Sequence, residues 1–222
     1  MVQKSKGAPS IKAPAPKAGA SAAPRRRGRP RAYEPDVALG KALELFRKEG
    51  FAATSLDDLS AATGMNRPSL YGAFGDKRAL YIKSYGRYRD DARAAMLDIF
   101  RDEMPIRKRL ARIYAVALDI YLSGESPRGC FTVMTAASEA VFDPEIRAMV
   151  LEGFVELDKA FAACFRQAKE KGELGEGADP IALSQLASAT IHTIAIRARA
   201  GVPRKELEAI VNGAIDVMLG AA

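Results

Sequence analysis

Two cysteines and one histidine in 222 residues leave little material for metal or thiol chemistry. Cys130 and Cys164 cannot build a disulfide framework, and both are expected to be reduced thiols. With His192 the lone imidazole there is no Cys/His metal cluster and no motif-supported Ser-His-Asp set, so neither a metal nor a cofactor is expected. Gly-rich phosphate loops of the Walker and dinucleotide types are missing. Gly124-Glu125-Ser126-Pro127-Arg128 is not a nucleophile elbow, because its last position is Arg. These absences argue against an enzyme. No run of 18 or more apolar residues occurs, so no membrane-spanning helix and no membrane partner are expected. The start, MVQKSKGAPSIKAPAPKAGA, lacks the apolar stretch of a secretory signal, so the expected location is the cytoplasm. Strand-like alternation and internal repeats are missing too.

What the chain does have is an uneven distribution of charge. Residues 1–31 hold nine of the 34 Lys and Arg residues and no acid. The other 25 basic residues stand against all 27 acidic ones, so the rest of the chain carries a net charge of −2 and the tail accounts for the overall +7. A near-neutral body with a basic arm points to a polyanionic partner, nucleic acid first of all. Residues 1–31 are rich in Ala, Pro, Lys, Gly and Ser and are expected to form a disordered basic arm, having too little apolar surface to offset the entropy of ordering. The run Arg25-Arg26-Arg27-Gly28-Arg29-Pro30-Arg31 resembles the core of an AT-hook. Arg27 and Arg29 would lie in the minor groove, where narrowing concentrates negative potential. A non-specific phosphate anchor is the plainer use of the same residues.

From Pro35 onward the pattern is helical. Leu39, Leu43 and Phe46 share one face of a first helix that begins at Pro35-Asp36 and is expected to stop at Gly50. Thr54, with an acid three residues later, is expected to cap a short second helix that ends at Gly64. Asn66 can cap a third, over residues 67–74, and Asp76 a fourth. In the fourth helix Tyr81, Tyr85, Tyr88, Ala92, Ala95 and Ile99 form one apolar seam. From Asp76 to Arg101 it would span roughly 39 Å. Further helices are expected near Ile106–Ser123, Gly129–Val141, Pro144–Lys171, Pro180–Ala200 and Pro203–Leu219. The fold class is all-α.

Two short helices joined by a tight turn at Gly64 have the spacing of a helix-turn-helix, in which the first helix braces the DNA backbone and the second enters the major groove. The stretch TSLDDLSAATGMNRPSLYGAFGDKRAL, residues 54–80, resembles the DNA-binding region of the TetR/AcrR family of transcriptional regulators. The likeness is specific over residues 35–81. It implies a basic arm (1–31), a helix-turn-helix domain (32–80) and a helical regulatory and dimerisation domain (81–222). It also implies a homodimer that binds a palindromic double-stranded operator, most simply as a repressor, and leaves it when a small-molecule effector binds. By the same resemblance Thr54 contacts a phosphate, and Asn66, Arg67, Pro68 and Ser69 open the recognition helix towards bases or backbone. Tyr71 and Lys77 meet phosphates. Arg67, which stands where the family has smaller or less rigid residues, is the candidate for guanine readout. Gly72, where relatives often carry a polar residue, removes one contact.

The resemblance also assigns the remaining helices. Leu186 and Ile194 in the penultimate helix, with Leu207, Val211, Ala214 and Met218 in the last, are the expected dimer interface. Tyr114, Tyr121, Phe131, Met134, Phe154 and His192 are the expected pocket lining. Cys130, beside Arg128 at an expected helix start, is placed where thiolate is favoured, and some TetR-like regulators carry Arg-Gly-Cys there; a redox or electrophile sensor and a small buried residue both account for it. An architectural DNA-binding protein with little sequence preference is the alternative to an operator-specific regulator.

Overall fold

The structure, a computed structural model, describes Met1 and residues 34–124 and 128–220. Among these, all regular structure is helical. α1 (Pro35–Ala53) begins with a proline at its first position, where no helical N–H is needed, and with Asp36 in the first turn. Gly50 breaks it at φ 83°, as expected, but the chain resumes one more helical turn to Ala53. α2 (Leu56–Thr63) and α3 (Arg67–Phe74) follow, joined through Gly64, whose φ of 72° is left-handed backbone that suits glycine. α4 (Lys77–Arg101) is the long helix the tyrosine seam predicts. Its buried line runs through Tyr81, Tyr85, Tyr88, Met96 and Ile99, and Ala95 faces out: a 3.6-residue helix carries the line one position further than the expected spacing.

The C-terminal half comprises α5 (Ile106–Leu122), a short segment after Cys130, α7 (Pro144–Glu170), α8 (Pro180–Arg199) and α9 (Arg204–Leu219). α7 packs along α8, while α5 contacts α4, α8 and α9. The expected helix over 129–141 is different in kind. Thr132–Ala136 form a π-helical turn that runs into a three-residue α6 (Ala137–Glu139). The wider turn lets two threonines meet the tyrosine seam: the Tyr85 hydroxyl donates to Thr132 Oγ1 (3.3 Å) and the Tyr81 hydroxyl to Thr135 Oγ1 (3.1 Å).

The domain boundary expected at 80/81 falls inside α4, and one hydrophobic cluster runs past it. Phe46 of α1 meets the edge of Tyr81 with ring centroids 5.0 Å apart, and Phe131 stacks on Tyr85 at 5.3 Å. Arg47, only 6% exposed, adds a polar tie from α1 to the far side of the core. Its guanidinium donates to the carbonyls of Ile120 (3.0 Å) and Gly129 (3.2 Å) and lies 5.3 Å from the Tyr88 ring centroid. From α8, Arg199 reaches the carbonyls of Arg47 (2.9 Å) and Lys48 (2.8 Å).

Candidate DNA interface and effector cavity

The helix starts of the helix-turn-helix are set by side-chain caps. α2 carries a capping box in which Ser55 Oγ accepts from the Asp58 N–H (3.1 Å) and Asp58 Oδ2 accepts from the Ser55 N–H (2.9 Å). The cap is therefore Ser55, one residue later than expected. Thr54, expected to contact a phosphate, is 1% exposed and its hydroxyl donates to the Gly50 carbonyl (2.6 Å). Asn66 caps α3 as expected, its Oδ1 accepting from the Ser69 N–H at 2.9 Å. Leu59, Met65, Leu70 and Phe74 turn inward.

That packing leaves Asn66, Arg67, Pro68, Tyr71 and Gly72 exposed on one face at the start of α3, with Ser69 half-buried beside them. Tyr71 is 48% exposed, which excludes a core role for it. Lys77, the first residue of α4, is half-buried, and its ammonium sits 4.4 Å from the Phe51 ring centroid. Asp76 caps this helix, accepting from the Ala79 N–H at 2.7 Å. Arg78 is tied to the start of α7 through Asp143 (2.5 Å) and Glu145 (2.8 Å). The Arg78 guanidinium holds the Asp143 carboxyl down at about 2. Arg27 and Arg29 lie outside the described residues.

A cavity of about 430 Å³ opens between α4, α5, α7 and α8, a size suited to a small organic molecule. Three of the six expected residues line it: Tyr121, Phe154 and His192. The other three do not. Tyr114 is fully buried and its hydroxyl donates to the Ala187 carbonyl (3.1 Å). Phe131 is enclosed by Tyr81, Tyr85 and Tyr88, and Met134 packs against Gly129. In their place stand Tyr88 and Ala92, which the sequence shows only as part of a core seam, with Met96 and Phe100 of the same helix α4. Cys130 also lines the cavity, beside Tyr88, Tyr121 and Thr132.

The arginine and glutamate charges at the cavity are paired with one another, and Lys159 also lines it. Arg89 bridges Glu152 and Glu156 (both 3.0 Å), and Arg93 also pairs with Glu156. The His192 ring is tilted against Phe154 with centroids 5.0 Å apart, and burial pushes its imidazole below the usual value against the opposing pull of Asp158.

The residues expected at the dimer interface are mostly turned inward in the single chain. Ile194, Leu207, Val211 and Met218 are at most 5% exposed, because α5, α8 and α9 close on one another within a single chain. Ala214 is half-buried, and only Leu186 faces outward, at 43%. The apolar side chains that α8 and α9 do present to the outside are Ile181, Leu186, Ile196 and Val217.

Comparison with known proteins agrees with this architecture. A family model described as "Bacterial regulatory proteins, tetR family" matches residues 38–83, and a "Tetracyclin repressor-like, C-terminal domain" model matches residues 107–214. The chain is 29% identical over 187 residues to the HTH-type transcriptional repressor ComR of Escherichia coli, covering 84% of this chain and 89% of ComR. It is 31% identical over 125 residues to the E. coli repressor BdcR, covering 56% and 62%. Among solved structures, a cysteine mutant of the TetR family transcriptional regulator CifR complexed with 26 bp of operator DNA superposes with a TM-score of 0.75 at 28% identity, covering 85% of this chain and 98% of that one. With the two family models together matching more than half of its length, this chain belongs to the TetR family of bacterial transcriptional regulators.

Proposed function

We propose that this protein is a repressor, and not an enzyme, that binds a palindromic operator as a homodimer in the cytoplasm and is released by a small molecule. The observation that carries the reading is the exposed, capped start of α3, where Asn66, Arg67, Pro68 and Tyr71 stand clear of a packed core. In this reading Arg67 addresses bases, while Tyr71, Ser69, Lys77 and the arm with Arg27 and Arg29 supply backbone contacts. Residues 1–31, 32–80 and 81–222 serve as arm, reader and regulatory domain. Dimerisation is assigned to the outer face of α8 and α9, through Leu186, Ile196 and Val217.

The effector site is the cavity between α4 and α7. Its apolar and aromatic walls, with Arg89 and Arg93 already paired to glutamates, fit a largely apolar molecule. The test is selection of bound sequences from random DNA, followed by a screen for compounds that release the selected site. A palindrome with a half-site preference supports the reading, whereas sequence-indifferent binding favours the architectural alternative.

A second use of the cavity rests on Cys130, which lines it, whereas Cys164 is buried away from it with its thiol pushed up by burial. As a thiol sensor, Cys130 would react with alkylating or oxidising agents faster than Cys164 and lose operator affinity on doing so. Equal, slow labelling of both cysteines would leave Cys130 as a wall residue.

A further inference from the structure

Arg67 already has a partner. Its Nε lies 3.1 Å from Oδ1 of Asp57 and its Nη2 2.7 Å from Oδ2, a side-on fork reaching from the first residue of α3 to the first turn of α2. A guanidinium has five N–H donors in one plane. The fork uses two and leaves free the end-on edge, made of Nη1 and the second hydrogen of Nη2. Two N–H groups on one guanidinium edge match O6 and N7 of guanine. Stability does not account for the pair: Arg67 is 54% exposed and Asp57 76%, and ion pairs this open contribute little to folding. Capping does not account for it either. Asp58 performs that role with Ser55, and the Asp57 carboxylate makes no other hydrogen bond among the described residues.

We propose that Asp57 is the positioning residue for base readout, holding the Arg67 guanidinium side-on so that its end-on edge is presented to a guanine in the major groove. The proposal rests on the reading of Arg67 as a base contact. An unbraced arginine would have to freeze several torsions on binding and could turn to a phosphate instead. A carboxylate beside it restrains those torsions beforehand, and its charge is repelled by the phosphate backbone.

The test uses the full-length chain and a selected operator, with affinities measured for all four bases at each position. Asp57→Asn leaves one acceptor and sets an NH₂ against the guanidinium, which breaks the fork. Preference for guanine at one base pair should then fall about three- to tenfold, the effect of freeing one restrained side chain. Binding to unrelated DNA should hold or rise, because an acidic charge facing phosphates has gone. In an Arg67→Ala background the same substitution should change no base preference. If Asp57→Asn weakens all sequences alike, or leaves the preference intact while Arg67→Ala relaxes it, Asp57 does not position the reader. If Arg67→Ala itself keeps every base preference, the reading of α3 fails and the proposal goes with it. Unchanged thermal unfolding of Asp57→Asn separates these outcomes from a folding defect.

Discussion

Gly129 and Gly172 have nearly the same left-handed backbone, with φ of 64° and 72°, but quite different surroundings. A Cβ at Gly172 would meet nothing within 4 Å. At Gly129 it would lie 2.8 Å from the Ala195 carbonyl oxygen, 3.0 Å from Met134 Cγ and 3.3 Å from Arg199 Cβ. Both alanine variants therefore bear the left-handed penalty of about 1–2 kcal/mol. Only Gly129→Ala adds overpacking against a helix backbone that cannot move alone, worth about 1–3 kcal/mol. For a chain of this size each kcal/mol lowers Tm by about 2–4 °C, so Gly129→Ala should lose roughly 4–20 °C and Gly172→Ala roughly 2–8 °C. Thermal and urea unfolding at matched protein concentration would read the difference. Gly129 also donates its N–H to the Tyr121 carbonyl (3.1 Å) and accepts from Arg47, so Gly129→Ala should disturb the Cys130 wall of the cavity as well. Equal destabilisation of the two variants would refute the close-approach argument.

Three further outcomes are expected. Val217→Glu and Ile196→Glu should give folded monomers by sedimentation, whereas Met218→Glu, which places its charge inside the chain, should lower Tm sharply instead. Because burial holds the His192 pKa below its ordinary 6.5, the unfolded chain takes the proton more readily. The contribution of His192 is intact above about pH 6.5 and is lost as the pH falls below that value, so urea unfolding of His192→Gln should lose that part of the acid sensitivity. Deleting residues 1–31 should flatten the salt dependence of DNA binding by about 0.9 per phosphate released while leaving the operator preference in place; an unchanged slope would remove the arm from the interface.

The helix-turn-helix was legible because single residues set its ends: Gly64, Asn66 and Asp76 do in the structure what their chemistry implies. The cap of α2 was misplaced because Thr54 and Ser55 both precede an acid by three residues. Burial of Thr54 under α1 decides between them, and no local pattern carries that information. On α9 periodicity revealed an apolar seam but not its direction. Leu207, Val211 and Met218 are the bulkier line and go to the chain's own core, while Val217 is left outside. The cavity was the least readable part. Aromatic identity does not distinguish Phe131, which is enclosed by three tyrosines, from Phe154, which faces open space.

Arg47 has a consequence for building hybrid regulators. Grafting α1–α3 of this chain onto another regulatory body would carry a buried guanidinium away from the Ile120 and Gly129 carbonyls that receive it. Stranding such a charge typically costs about 3–5 kcal/mol, enough to unfold many domains of marginal stability. Any backbone supplies carbonyls, but the approach of these depends on Gly129 and on Arg199 clasping the end of α1. The transferable part is therefore the reader together with the patch of α5, α8 and the 128–131 turn that grips it, and a crossover point chosen at the α3–α4 junction would cut through the grip.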